Sequence, residues 1–166
     1  MTNFSHLSRV GTALSAAVVL AFGMLLAAPS ASADKADLVL YIDREFREEL
    51  DIKGDGMNVG DITVANGQVS RKRGGKSVGT WTIVAIDASV NLPGGRIDRS
   101  ATNAVKLKRG TIYMMSVVAT NAGAPPSEKN VFAIIGGTGK YSGVRGEVTN
   151  TPLSSTRFKY EFYFVD

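Results

Sequence analysis

The segment Ile134–Val148 reads IIGGTGKYSGVRGEV and places five glycines, Gly136, Gly137, Gly139, Gly143 and Gly146, around Lys140. Two chemistries use such a run: a phosphate cradle, or a sharp corner in a β-structure. A phosphate-binding loop needs glycine five positions before the Gly-Lys pair and a hydroxyl residue after it. Here those positions hold Ile134 and Tyr141. A helix should then begin, so that its N-terminus meets the anion, yet Gly143 and Gly146 interrupt a segment that reads as strand. The dinucleotide fingerprint also fails, because the third glycine, Gly143, comes one residue late. What remains is geometry: Gly-Gly-Thr-Gly supplies positive-φ positions for a turn, and the later glycines permit a bulge or a close backbone approach.

Working outward, the chain reads as strands. In TRFKYEFYFV, Phe158, Tyr160, Phe162 and Phe164 fall on one face and Lys159, Glu161, Tyr163 and Val165 on the other, the period-two pattern of a strand. Further strands are expected at 38–46, 60–65, 78–90, 104–108, 111–120, 130–136 and 144–150, separated by KGDG, NG, RGG, PGG, RG and APP turn signals. Asp43–Asp51 is rich in helix formers and reads either as a short helix with i,i+4 charge pairs or as a strand entering a polar hairpin arm. Many short strands with tight turns predict an all-β sandwich or barrel. Residues 78–86 and 111–119 are apolar on both faces. A barrel strand between a lumen and a partner subunit accounts for that.

Before Asp34 there is no carboxylate; His6 and Arg9 precede the apolar run VGTALSAAVVLAFGMLLAA, and Ala31-Ser32-Ala33 follows. This is the pattern of a cleaved secretory signal over 1–33, with an uncleaved anchor as the alternative reading. Cleavage leaves 34–166 as one domain and no membrane segment. The chain has no cysteine, so neither a lipid-modified cysteine nor a disulfide is available, and packing must supply the stability. Losing Arg9 lowers the formal charge of +4 by one. The densest basic cluster is Arg71-Lys72-Arg73 with Lys76; lacking interleaved aromatics, it reads as a solvated hairpin tip rather than a nucleic-acid surface. His6 is the only histidine and leaves with the leader, which excludes zinc sites, histidine triads and thiol nucleophiles. Asp51-x-Lys53-x-Asp55-Gly56 starts like a calcium loop, but Lys53 takes a ligand position and Ile62 stands where the terminal glutamate belongs. No cofactor is expected.

The run IGGTGKYSGVRGEV resembles the glycine signature shared by dirigent proteins and allene oxide cyclases. The likeness extends upstream through SEKNVFAIIGG, downstream through RFKYEFYFVD, and earlier through Val59-Gly60-Asp61-Ile62 and Gly75-x-x-x-Gly79-Thr80-Trp81. It implies a single eight-stranded antiparallel β-barrel, usually trimeric, with a hydrophobic pocket open at one end. It also implies a small apolar or phenolic ligand, whose coupling or cyclisation is directed by a shaped lumen, with an external oxidase supplying radicals where the reaction is a coupling.

The same resemblance names site residues. Asp43 is the nearest match to a dirigent aspartate late in the first strand: either a lumen acid or a strand-end acid paired with an arginine. Tyr41 stands, in one register, where the cyclases carry a functional glutamate, and that departure argues against allene oxide cyclase activity itself. Asn66 matches a cyclase asparagine, or else begins an Asn66-Gly67 hairpin turn. Trp81 takes the place of a dirigent tyrosine, as a π wall for a ligand or as core. Arg145 matches the dirigent arginine, as an anchor for an anionic oxygen or as a partner of Glu147. Tyr113, beside Met114 and Met115, offers soft apolar lining or core. Asp43 and Arg145 are thus the catalytic candidates, and Tyr41, Asn66, Trp81 and Tyr113 the ligand-binding ones.

Overall fold

The computed structural model describes residues 35–54, 56–121 and 128–165; the expected leader, 1–33, lies outside the described residues. Eight strands follow one another: β1 Leu38–Leu50, β2 Ile62–Ser70, β3 Ser77–Leu92, β4 Arg96–Leu107, β5 Gly110–Asn121, β6 Asn130–Gly137, β7 Arg145–Pro152 and β8 Arg157–Val165. Each pairs antiparallel with the next, and β8 returns to β1, closing the barrel. The closing seam runs from Leu38 opposite Phe162 to Asp43 opposite Arg157. Every strand thus has a partner on each side along at least part of its length.

Alternation decides what fills the interior. Leu38, Leu40 and Ile42 of β1 meet Val69, Val105, Leu107, Ile112, Met114, Ile134, Val148 and Phe162 in one buried cluster. This apolar layer closes the end of the barrel at which β1 begins, and we call that end the floor. The opposite end, the mouth, carries the β1–β2 connection and the β3–β4 and β7–β8 turns. The segment 71–76 is an exposed turn at the floor, as expected of a hairpin tip.

The glycine run is a corner beneath the floor. β6 ends at Gly137, a single 3-10 turn spans Gly139–Tyr141, and β7 starts at Arg145. The corner is tied to the β4–β5 turn: Thr138 N–H donates to Thr111 O at 2.8 Å and Lys140 N–H to Arg109 O at 2.8 Å. Tyr141 folds inward and is buried. Lys140 is therefore a surface lysine on a turn, not a phosphate ligand.

Of the two readings of Asp43–Asp51 the strand holds, since β1 runs to Leu50 in register with β2. One expectation is corrected. Asn66-Gly67 is not a turn: β2 passes straight through it, with Asn66 opposite Phe46 and Gly67 opposite Arg44. Glycine is needed there for proximity, because a Cβ on Gly67 would lie 2.1 Å from Asp43 O.

The backbone at Gly146 is the more demanding case. Its φ is +130°, and a Cβ would sit 2.0 Å from Tyr163 O on β8. Gly143, at φ +77°, faces open space. Gly146→Ala is expected to lower unfolding free energy by about 2 kcal/mol or more, combining strain with a clash. Gly143→Ala should cost about 1 to 2 kcal/mol from φ alone. Urea denaturation of both variants checks the order.

Candidate functional site

A β-bulge decides what faces the mouth. The β1–β2 register shifts between Arg44 and Phe46. Below it, Leu40 and Ile42 point inward and Arg44 continues that alternation; above it, Arg47 takes the inward phase, and Arg44 and Arg47 both line the mouth pocket. An extra residue in one strand reverses its facing pattern from there on.

The pocket descends from this mouth. Its wall is Thr63, Ala65, Trp81, Ile83, Ala85, Val118, Phe132, Phe158 and Tyr160, with Asn150 and Thr120 among them and Arg44, Arg47 and Arg99 around the rim. The space not filled by atoms is about 610 Å3 when counted out into solvent at the mouth. The enclosed part suits one small, flat molecule.

Aromatic rings set the shape of the wall. Trp81 and Phe158 lie with centroids 6.3 Å apart, Phe132 and Tyr160 stack at 6.1 Å, and Tyr160 meets Phe162 at 6.3 Å. These are ordinary attractive ring spacings. A buried amide lies behind these rings: Asn103 Oδ1 accepts from Trp81 Nε1–H at 3.1 Å and from the Tyr160 hydroxyl at 3.4 Å, while its Nδ2 has no acceptor. Burial holds the Tyr160 phenol above the ordinary tyrosine range, with the nearby Trp81 indole N–H opposing this only in part.

Charges at the mouth are arranged unequally. Arg99 Nε donates to buried Asp87 Oδ1 at 2.6 Å and Nη2 to Glu49 Oε1 at 3.5 Å. Arg47 is paired with the same Glu49 carboxylate. Among the described residues Arg44 has no carboxylate partner; its Nη2 donates to Ser155 O at 2.6 Å, and its guanidinium stands 5.9 Å from the Phe158 ring centre. Burial, and then the neighbouring Arg47 charge, hold the Arg44 pKa below the ordinary guanidinium range. Deeper in the wall, Asn150 is 4% exposed, and its Oδ1 receives no hydrogen bond.

Of the residues named from sequence, Trp81 alone lines this pocket. Asp43 points outward and pairs with Arg157, with both side chains 35% exposed. That is the strand-end pairing rather than the lumen acid. Its phase follows from Ile42, which is buried, and Tyr41 shares the outer face with Asp43. Asn66 is on the outside of β2. Tyr113, 40% exposed, stands outside over a shallow hollow with Thr82 and Lys106. Arg145 is exposed on the outer face of β7 and makes no ion pair, Glu147 included, among the described residues. The structure thus brings none of these five to the lumen. Asp51 Oδ1 accepts from the backbone N–H groups of Lys53 and Gly54, and among the described residues no acidic cluster could hold a metal.

No protein-family model matches the sequence, and no curated protein matches it. Solved structures do. Pyocyanin demethylase superposes with a TM-score of 0.65 at 23% identity, over 77% of this chain and 98% of that one. The Diels Alderase AbmU from Streptomyces koyangensis gives 0.55 at 12% identity, over 80% and 72%. The pterocarpan synthase dirigent protein PsPTS1 gives 0.53 at 13% identity, over 80% and 100%. The chain has the barrel of dirigent and cyclase proteins. At these identities the likeness establishes the fold, as the glycine signature implied.

Two measurements check the polar groups. Arg99→Met leaves Asp87 buried without its cation and is expected to lower stability by about 3 kcal/mol or more, read by urea denaturation at neutral pH. Tyr160 gives a pH signature. Above about pH 10 the unfolded chain ionises this phenol while the folded chain keeps its proton. Its contribution is full below that pH and falls as pH rises. Wild type should therefore lose up to about 1.4 kcal/mol per pH unit more than Tyr160→Phe above pH 10, seen in parallel alkaline denaturation series.

Proposed function

We propose that this is a secreted barrel protein that binds a small apolar or phenolic molecule in its lumen and directs the coupling or cyclisation of that molecule. The observation that carries the reading is the aromatic wall of Trp81, Phe132, Phe158 and Tyr160 lining a pocket with Arg44, Arg47 and Arg99 at its rim. Rings facing a flat ligand restrict it to few orientations and displace water, and a reaction with several outcomes is thereby steered towards one. Acid–base work has little part in this, since Glu49 and Asp87, the carboxylates bonded to the rim arginines, are held by them. For a coupling reaction, an oxidase outside the chain would generate the radicals. The names of the fold neighbours, a Diels Alderase and a pterocarpan synthase dirigent protein, support a ring-forming or coupling role. The pairing of Asp87 and Glu49 also supports a second reading, a carrier that holds its ligand without converting it.

A homotrimer belongs to the same proposal. Val64, Val84, Thr102, Met115 and Ala133 are register partners across five adjacent strands. Val84, Met115, Val117, Val131 and Ile135 are all exposed on that side. Such an apolar face is larger than scattered surface residues produce, and it is the outer face that both-sided apolar strands predict.

Native mass spectrometry of protein purified from culture medium tests these points together. The expected spectrum is a trimer of chains beginning at Asp34, carrying a retained small molecule or taking up added phenolics. Val84→Glu combined with Val117→Glu should give monomers. A monomeric wild type that binds no phenolic or polyene would overturn the proposal.

A further inference from the structure

Two groups that line the pocket lack complements, at different depths, while the buried Asn103 Nδ2, also without an acceptor, does not line it. At the rim stands Arg44, which among the described residues has no carboxylate partner, packed over Phe158. The other charges facing it are accounted for: Glu49 by Arg47 and Arg99, and Asp87 by Arg99. Asp43 and Glu45 lie on the outer side of β1, with Asp43 held by Arg157 and Glu45 by Gln68. Asp51 and Asp61 of the β1–β2 connection accept from backbone N–H groups instead, so among the described residues Arg44 is the pocket-lining arginine left without an anion. Lower down is Asn150, whose buried Oδ1 is an acceptor with no donor. Asn150 is opposite Tyr160 in the β7–β8 register. Tyr160 lies one inward-facing position deeper than Phe158, a step of about 7 Å along the strand.

An unpaired buried acceptor, and a partly buried guanidinium with no anion beside it, are each less favourable in the free protein than when complemented. A ligand that satisfies both recovers that energy, whereas one that satisfies neither leaves it lost. The residues between the two groups are Phe158, Trp81, Phe132 and Tyr160, so the connecting body must be flat and apolar.

From this geometry we infer that the lumen ligand is an aromatic or conjugated carboxylic acid with a hydrogen-bond donor at its far end. Its carboxylate accepts from the Arg44 guanidinium at the rim, its body lies against the ring wall, and its hydroxyl or N–H donates to Asn150 Oδ1. The inference rests on the lumen-binding reading above and adds the class and direction of the ligand. Arg44 offers a planar fork of donors, which suits a carboxylate better than a neutral oxygen. Entry is acid-last, because the cation is at the rim and the acceptor is at depth.

Three probes separate the terms: 4-hydroxycinnamate, cinnamate and 4-vinylphenol, titrated calorimetrically into the full barrel. Trp81 is the chain's only tryptophan and lines the pocket, so its fluorescence lifetime gives an independent reading. On wild type, 4-hydroxycinnamate should bind at least about tenfold more tightly than 4-vinylphenol, and several-fold more tightly than cinnamate. Arg44→Met should bring the acid down to the affinity of 4-vinylphenol and leave 4-vinylphenol unchanged. Asn150→Leu should remove the advantage of 4-hydroxycinnamate over cinnamate while keeping the preference for acids. The wild-type ranking needs no variant, so a misfolded mutant does not rescue or sink the inference. If the neutral probe binds as well as the acids, this inference is wrong while the lumen reading survives. If no probe binds or changes the Trp81 lifetime, the lumen reading fails and takes this inference with it.

Discussion

The seam between β1 and β8 is the pairing on which the rest of the molecule depends. Six residues of β1, Leu38 through Asp43, lie opposite β8 residues Phe162 through Arg157. Without that ladder the strands form an open sheet with two exposed edges, and Leu40, Ile42, Tyr160 and Phe162 lose the opposite wall that buries them. With it, each inward residue is enclosed from all sides, and the interior becomes a separate environment of low polarity. The ordering of ligand-facing groups by depth exists only because the sheet closes on itself. The seam is also short. β1 extends to Leu50, but β8 starts at Arg157, so the upper part of β1 pairs with β2 alone. The bulge at Arg44 lies where the seam gives out, in the part of the wall free to rotate its side chains towards the mouth.

That placement explains how so many arginines enter a lumen. A guanidinium taken fully into an apolar core is unfavourable by several kcal/mol, in rough terms. Here each stays near the rim, with its stem along the apolar wall and its head near solvent or a carboxylate. Arg99 and Asp87 form the deepest pair, with a short charge-assisted hydrogen bond. Arg44 differs in having backbone and ring contacts in place of a carboxylate. It has already lost part of its water to the wall, so a bound anion displaces less hydration than it would at an exposed arginine.

Most of the architecture was legible from the sequence because it rests on local rules. Alternation marked β8 and parts of the other strands, and the glycine spacing ruled out a phosphate loop without any coordinates. The site was far less legible. Period two places Tyr41 and Asp43 together but does not say which face is inner. The answer lay in Leu38, Leu40 and Ile42, whose alternation continues into Arg44. An arginine in an apolar register was the available signal. Arg99 was missed for a related reason: β4 begins at Arg96, and only its second half was read as strand. Read in full, Ile97, Arg99, Ala101, Asn103 and Val105 form one inward file. Asn66 misled because Asn-Gly is a strong turn signal locally, and a contact distant in sequence, Gly67 against Asp43 O, overrode it. The pairing of β1 with β2 and β8 is a tertiary fact, so facing and bulge position could not come from propensity.

The same logic bears on why the dirigent-like pattern names positions that lie on the outside here. A family resemblance transfers backbone geometry securely where glycine is demanded by a clash, as at Gly146 beneath Tyr163 O. It transfers side-chain roles only where register is preserved to the residue, since one inserted residue turns a lumen position into a surface position. Trp81 keeps its inward place because the β3–β4 register is unbroken from Gly79 through Asp87. Asp43 lies on the strand that carries the bulge, and its direction is set by Ile42. The chemistry of this barrel is therefore better read from the inward files of its own strands than from positions borrowed from relatives. Those files give a ring wall, three rim cations and two deep amides, Asn103 and Asn150, a set suited to orienting a flat acid rather than to moving its protons.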